Sequence, residues 1–149
     1  MTNRHLRVGI WLGRGVTILF YLAFAAELIL LSRTSLLQGA TLLLCAGVAF
    51  AAVWLLRRLL GRKRPYQQDD ALPRLRCGTN DSFPSLHVFS AFYIATAAFA
   101  VSPALSYALL ACATALAVLR VLLSIHYPRD AVGGAFIGVA LSVITLILL

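Results

Sequence analysis

The sequence predicts an all-α integral membrane protein, a helical bundle of about five transmembrane helices, and three observations support this prediction. Of the 149 residues, 61% are hydrophobic and only 12% are charged, and the mean hydropathy is +0.90. Soluble domains carry about a quarter charged residues, and a soluble chain of this length could not hide so much apolar surface in one core. The apolar residues also gather in five runs, most of them close to the roughly 20 residues that cross a bilayer.

The five predicted helices form a single domain that spans residues 1–149. The first apolar run is expected to remain as an anchor, because no convincing cleavage site for a signal peptide follows it. Only Ser102-Pro103 separates the third and fourth runs, and so short a turn predicts an antiparallel hairpin. The one long connection lies between the second and third runs. The predicted ranges are Val8–Leu31, Leu36–Leu56, Leu86–Val101, Ala104–Leu119 and Ala131–Leu149.

The basic residues are gathered on one side of the predicted bundle. Five crossings put the N-terminus, the 57–84 connection and the 120–130 segment on the same side, and of the 13 Lys and Arg residues only Arg33 falls on the other. The net charge of +8 therefore lies between apolar runs, which predicts anionic lipid or a phosphorylated substrate as partner rather than nucleic acid. Taken alone, such a basic run is more often a cytoplasmic flank of a membrane helix than a binding site.

The remaining titratable residues in the apolar runs have simpler interpretations. Cys45 and Cys112 are expected to be small buried hydrophobic residues, and Cys77 in the polar connection has no obvious partner. No spacing resembles a metal site. An ionisable residue within a span is a functional candidate by default, but for Glu27 we expect a structural pairing with a nearby arginine.

Three polar segments on the charged side combine residues that suit phosphoryl transfer. The first, at residues 57–65, reads RRLLGRKRP, the second, at 84–87, reads PSLH, and the third, at 120–130, reads RVLLSIHYPRD. An arginine fork binds two phosphate oxygens at once, and the start of a helix offers free backbone N–H groups to an anion. The sequence therefore predicts a phosphate-binding site where these helix ends meet.

The two histidines divide the chemistry between them. His126 can attack phosphorus if a partner fixes its tautomer, and Asp130, four residues later, can be that partner. His87 would then protonate the departing oxygen. Taken singly, Asp130 is more readily explained as a helix N-cap and His126 as an interfacial histidine, so the prediction depends on their combination in one place.

In order and spacing, the three segments resemble the signature of the type-2 phosphatidic acid phosphatase superfamily, K-x6-R-P, P-S-G-H and S-R-x5-H-x3-D. Arg57 stands at the lysine position and keeps its charge. Leu86 replaces the glycine, so that its side chain narrows the pocket or demands a different approach, and Leu119 replaces the serine. Five helices also fall one short of the six usual in bacterial members. The remaining matches are Arg64, Pro65, Pro84, Ser85, His87, Arg120, His126 and Asp130.

This resemblance implies a role for each matching residue. His126 would form a phosphohistidine intermediate, Asp130 would orient His126, and His87 would be the general acid. The family uses no metal, so no cofactor is expected. The residues implied to hold the phosphate oxygens are Arg57, Arg64, Ser85, the Leu86 amide and Arg120.

The resemblance also implies a phosphorylated membrane lipid as substrate, with several head groups open. The 81–85 stretch, DSFPS, favours undecaprenyl pyrophosphate, and the alternatives are phosphatidylglycerophosphate, phosphatidic acid and lipid A phosphates. We expect the protein in the bacterial inner membrane. The charge bias favours a site on the cytoplasmic side, whereas bacterial members of the family commonly have their site on the periplasmic side. A lipid phosphotransferase and a non-catalytic module that binds anionic lipid remain alternative functions.

Overall fold

The computed structural model describes residues 3–65 and 81–149, with side chains from Val8 onward, and this part of the chain contains only helices. The predicted all-α bundle is therefore confirmed. Cys77 and the 67–70 segment lie outside the described residues. The helices are α1 (Asn3–Thr34), α2 (Leu36–Leu60), α3 (Leu86–Ala97), continued by a 3₁₀ turn (Ala98–Ala100), α4 (Pro103–Leu122) and α5 (Pro128–Leu148).

Several helix ends extend beyond the predicted ranges, and the extensions of α2, α4 and α5 carry Arg57, Arg120 and Asp130 of the predicted site. Helix α2 continues past Leu56 because Gly61, with φ 51°, caps it by donating its N–H to the Arg57 carbonyl. Helix α5 begins at Pro128 rather than Ala131, because proline suits the first position of a helix. Hydropathy marks only the part of a helix that lies in lipid, whereas capping decides where the backbone hydrogen bonds end.

Of the five helices in the described part of the chain, four are long and apolar enough to cross a membrane, and the other, α3 with its 3₁₀ turn (Leu86–Ala100), is shorter. Helix α3 contacts all four other helices, and nearly all of its residues from Val88 to Ala98 are buried. The outer helices instead expose large apolar side chains such as Leu22, Leu44 and Ile147. The protein is therefore a multi-pass membrane bundle built around a short central helix.

Helices α3 and α5 approach each other unusually closely, because α5 presents glycines to α3. A Cβ atom at Gly134 would lie 2.6 Å from the Ser85 carbonyl oxygen, and one at Gly138 would lie 2.6 Å from the Phe89 carbonyl oxygen. Small residues at such positions allow two helix backbones to come into direct contact. Further along, the Tyr93 hydroxyl lies 2.7 Å from Thr145 Oγ1. This packing brings the start of α5 next to the start of α3.

The expected pairing of Glu27 with an arginine is wrong. Glu27 is only 1% exposed, and within the described part of the chain neither carboxylate oxygen has a hydrogen-bond partner. Arg14 and Arg33, the two arginines of α1 whose side chains are described, are both exposed and do not bond to Glu27. Cys112 is likewise exposed rather than buried, and Cys45 is partly buried.

Candidate active site

The ends of four helices meet on one face of the bundle, and they carry all eight residues predicted for the site. The face consists of the end of α2, the start of α3, the end of α4 and the start of α5. The eight residues all lie within the described part of the chain, and they are Arg57, Arg64, Ser85, Leu86, His87, Arg120, His126 and Asp130.

Three arginines surround the two histidines. Arg57 is buried in the last turn of α2, and its Nη2 donates a hydrogen bond of 2.5 Å to the Asp81 carbonyl oxygen. Arg64 is also buried and interacts electrostatically with Arg57 and His126. Arg120, at the end of α4, interacts in the same way with His87. Bringing three positive charges together is unfavourable unless an anion joins them, so the arrangement suits a bound phosphate.

The start of α3 supplies neutral donors for the same anion. The Ser85 N–H is already used, because it donates to the Asp130 carbonyl oxygen at 2.9 Å. The buried Ser85 hydroxyl, however, has no hydrogen-bond partner within the described residues. Leu86 is the first residue of α3, where a backbone N–H has no partner inside the helix. Its side chain packs against the apolar cluster that contains Val53 and Phe89, so the leucine at the motif's glycine position has an apolar environment of its own.

A tight turn after α4 brings His126 back into the site. Ser124 has φ 54°, a left-handed conformation that costs a non-glycine residue roughly 1–2 kcal/mol. The N–H groups of Ile125 and His126 then donate to the Arg120 carbonyl oxygen at 3.1 and 3.3 Å. Local strain of this kind is found mainly at functional sites, and here it sets the direction of a buried imidazole.

Asp130 lies behind His126 and is held by the start of α5. It is completely buried, and its Oδ2 accepts a hydrogen bond of 3.2 Å from the Tyr127 N–H. His126 Nδ1 is 3.8 Å from the same Oδ2. The N-cap of α5 is therefore Tyr127 and not Asp130, which occupies the third helical position and accepts from the N-cap N–H. The same carboxylate lies near His126.

The electrostatics of the site favour a neutral His126. Burial lowers the pKa of His126 below its usual value of 6.5, and although Asp130 opposes this shift, Arg64 and Arg57 add to it. A neutral imidazole retains the lone pair that a nucleophile needs. His87, by contrast, has an exposed side chain in the first turn of α3, where a leaving group can reach it.

The structure adds one residue that the sequence motifs did not identify. Ser82 is fully buried; its hydroxyl donates a hydrogen bond to Asp130 Oδ2 and lies 3.4 Å from His126 Nδ1. It is 44 residues from His126 along the chain, so no local spacing pointed to it. Within residues 3–65 and 81–149, no group of three or more His, Cys, Asp and Glu side chains could hold a metal ion.

The fold and the site together define an integral-membrane enzyme that handles phosphate groups, and comparison with known proteins specifies the family. Residues 38–149 match the PAP2 superfamily, so the chain belongs to this superfamily, as the three motifs predicted. The chain has no match among curated proteins.

Two solved structures share the fold. LpxE of Aquifex aeolicus is 25% identical, with a TM-score of 0.70 over 91% of this chain and 86% of its own. A PAP2-type phosphatidylglycerolphosphate phosphatase from Bacillus subtilis is 19% identical, with a TM-score of 0.68 over 93% of this chain and 76% of its own. The bundle described above is therefore the fold of PAP2 membrane lipid phosphatases.

Proposed function

We propose that this protein hydrolyses a phosphate or pyrophosphate group from a membrane lipid, with His126 as the nucleophile. The observation that carries the proposal is the orientation of the His126 ring. Its Nδ1 faces Asp130 and Ser82, so Nε2 is the nitrogen left to attack phosphorus. The arginines and the start of α3 are gathered beside the same histidine, where they can hold the phosphate oxygens.

The first chemical step transfers the phosphoryl group to the enzyme. Nε2 of His126 forms a bond to phosphorus as the bond from phosphorus to the leaving oxygen breaks, and His87 donates its proton to that oxygen. For a monoester the leaving group is the lipid alcohol, and for a pyrophosphate it is the lipid monophosphate. Negative charge on the equatorial oxygens is stabilised by Arg57, Arg64 and Arg120.

The second step returns the enzyme to its starting state. His87, now neutral, accepts a proton from water as the water oxygen bonds to phosphorus and the N–P bond of His126 breaks. Inorganic phosphate leaves, and His87 is again protonated for the next cycle. Protonation of His87 beside three arginines requires compensating negative charge, which the bound phosphate brings.

Two apolar cavities beside the site support a lipid as the substrate. One, of about 300 Å³, lies between α1, α2 and α3, and its lining includes Phe89 and Ser90, the latter one helical turn beyond His87. The other, of about 320 Å³, lies between α3, α4 and α5, and Pro128 and Ala131 in its lining flank Asp130. Acyl or isoprenoid chains could occupy either cavity while the head group reaches the arginines.

Phosphate release from four lipids tests the substrate. We put undecaprenyl pyrophosphate first, with phosphatidylglycerophosphate, phosphatidic acid and lipid A phosphates as the alternatives, all presented in the same detergent micelle. A soluble head-group analogue such as glycerol phosphate should be hydrolysed far more slowly than its lipid, because it cannot fill the cavities. Release should survive a chelator. Labelled phosphate that appears on a second lipid instead of in solution would identify a phosphotransferase.

Substitution and trapping test the mechanism. His126→Ala should abolish turnover, and rapid acid-free quenching of the unmodified enzyme should trap phosphohistidine substituted at Nε2. Full turnover by His126→Ala would refute the proposal. Two adjacent arginines provide a matched pair, because Arg57 is 8% exposed whereas Arg58 is exposed and stacks 4.0 Å from the Trp54 ring. Arg57→Gln should lower kcat/KM by about 100-fold, and Arg58→Gln should leave it nearly unchanged.

The side of the membrane is tested separately. We propose the bacterial inner membrane as the location. Single cysteines introduced in the 67–70 segment, in a background where the native cysteines are replaced, should react with an impermeant thiol reagent in intact cells only if the site faces outward.

A further inference from the structure

The contact between His126 and Asp130 is too long for a direct hydrogen bond. Nδ1 and Oδ2 are 3.8 Å apart, beyond the separation of about 3.6 Å at which a side-chain contact no longer counts as a hydrogen bond. The Ser82 hydroxyl lies against both groups, 3.4 Å from Nδ1 and hydrogen-bonded to Oδ2. The histidine is therefore connected to the carboxylate through a serine.

The single proton of the Ser82 hydroxyl determines the direction of the hydrogen bonds from His126 through Ser82 to Asp130. A serine hydroxyl has one proton to donate and two lone pairs to accept with, and the Asp130 carboxylate can only accept. Ser82 therefore gives its proton to Asp130 and can only accept from His126. It follows that the hydrogen of neutral His126 resides on Nδ1, which leaves the lone pair on Nε2 for phosphorus.

The backbone around Ser82 is held by the arginine segment of the site. The Ser82 N–H donates to the Arg62 carbonyl oxygen at 2.8 Å, and the preceding carbonyl, of Asp81, accepts from Arg57 at 2.5 Å. Burial excludes water from the hydroxyl, since Ser82 is 0% exposed. The serine therefore has a fixed position between the phosphate-binding arginines and the nucleophile.

From this geometry we propose that Ser82 is a positioning residue that links Asp130 to His126 and sets the tautomer of the nucleophile. The proposal rests on the proposed function of His126. As His126 attacks, its imidazole becomes positively charged, and the hydroxyl dipole conveys the stabilising effect of the Asp130 carboxylate to it. Ser82 itself makes no covalent bond and keeps its proton throughout.

Substitutions that remove or retain the hydroxyl test this role. Ser82→Ala should lower kcat by about 10- to 100-fold, the range for a hydrogen bond to a charged group, with KM changed less than about threefold, because the arginines still bind phosphate. Ser82→Thr should recover most of the activity. Ser82→Cys, which keeps nearly the same size but is a weak donor, should behave like Ser82→Ala and replaces it if the alanine variant does not fold.

The matched control is Ser142→Ala. Ser142 is also a fully buried serine, but it lies in α5, and its hydroxyl has no hydrogen-bond partner within the described residues. Its removal should leave kcat nearly unchanged. Wild-type kcat in both Ser82→Ala and Ser82→Cys would overturn the proposal.

Two further measurements separate positioning from mere structural support. Nitrogen-15 NMR of His126 at neutral pH should show the proton on Nδ1 in the unmodified protein and a mixture of tautomers in Ser82→Ala. In a double-mutant cycle, Ser82→Ala should lower kcat only slightly further when Asp130 is already replaced by Asn, because both residues act on His126 through the same hydrogen-bonded connection. Unchanged tautomers, or effects that multiply fully, would overturn the proposal.

The outcome for His126→Ala keeps the two proposals distinguishable. If His126→Ala retains turnover, the proposed mechanism fails whatever Ser82 does. If His126→Ala is inactive and the Ser82 variants are normal, only the positioning role fails.

Discussion

Substitution of Gly134 by alanine tests whether the contact between α3 and α5 sets the geometry of the active site. The added Cβ would lie 2.6 Å from the Ser85 carbonyl oxygen and 3.2 Å from the Phe89 nitrogen, and ordinary contact begins at 3.4 Å. Both neighbours are backbone atoms, so the start of α3 must move away from α5 by about 0.8 Å (3.4 Å less 2.6 Å). That movement separates Ser85 and the Leu86 amide from Asp130.

The size of the effect follows from this displacement. Overpacking costs about 1–3 kcal/mol, and the gain from replacing a helical glycine, about 0.5–1 kcal/mol, offsets part of it. We therefore expect a net destabilisation of up to about 2.5 kcal/mol. Because a misplacement of about 1 Å can cost roughly 100-fold in rate, kcat/KM should fall by about 10- to 100-fold.

The assay pairs phosphate release with thermal unfolding on the same detergent-solubilised preparation. Gly15→Ala is the matched control, because nothing lies within 4 Å of a Cβ at that helical glycine, and it should retain activity and unfold at the same or a slightly higher temperature. Gly134→Ala with unchanged kcat/KM and an unchanged unfolding temperature would refute the reasoning that this helix contact positions the phosphate donors.

Three further predictions concern residues with different surroundings. Leu86→Gly restores the motif glycine and should lower the free energy of unfolding by about 1–3 kcal/mol, because contacts with α2 are lost. The variant should keep its phosphatase activity, and loss of turnover in a folded variant would contradict this prediction. Glu27→Gln should leave stability unchanged or raise it, because an unpaired buried carboxylate is costly, and a large fall in unfolding temperature would indicate a partner for the charge. Since the pKa of His126 lies below 6.5, His126 stays neutral as the pH falls through 6.5. The acidic limb of a kcat/KM profile that reports protonation of His126 should therefore have its midpoint below pH 6.5. A midpoint at or above that value would contradict the electrostatic argument.

The amino-acid sequence by itself determined that the protein lies in lipid, that it is helical and which residues form the motifs. It did not determine the number of spans, because four of the predicted five are long enough to cross a membrane in the described part of the chain and Leu86–Ala100 is shorter. Long apolar runs interrupted by arginine and proline specify membrane helices regardless of how they pack, and the spacing from Arg120 to Asp130 is a local property of one segment. These features are sufficient to indicate the superfamily. Sequence reasoning was least accurate where packing decides, as for Glu27 and Cys112, because facing the core or the lipid depends on which helices are neighbours.

Only the tertiary structure decided how the motif residues cooperate. Ser82 and His126 are distant in sequence and meet because the glycines of α5 allow it to lie directly against α3. The separation between His126 and Asp130, and the hydroxyl that spans it, depend on three segments at once. A motif specifies which chemical groups are available, whereas distances of a few tenths of an ångström, set by packing, decide which of them are hydrogen-bonded.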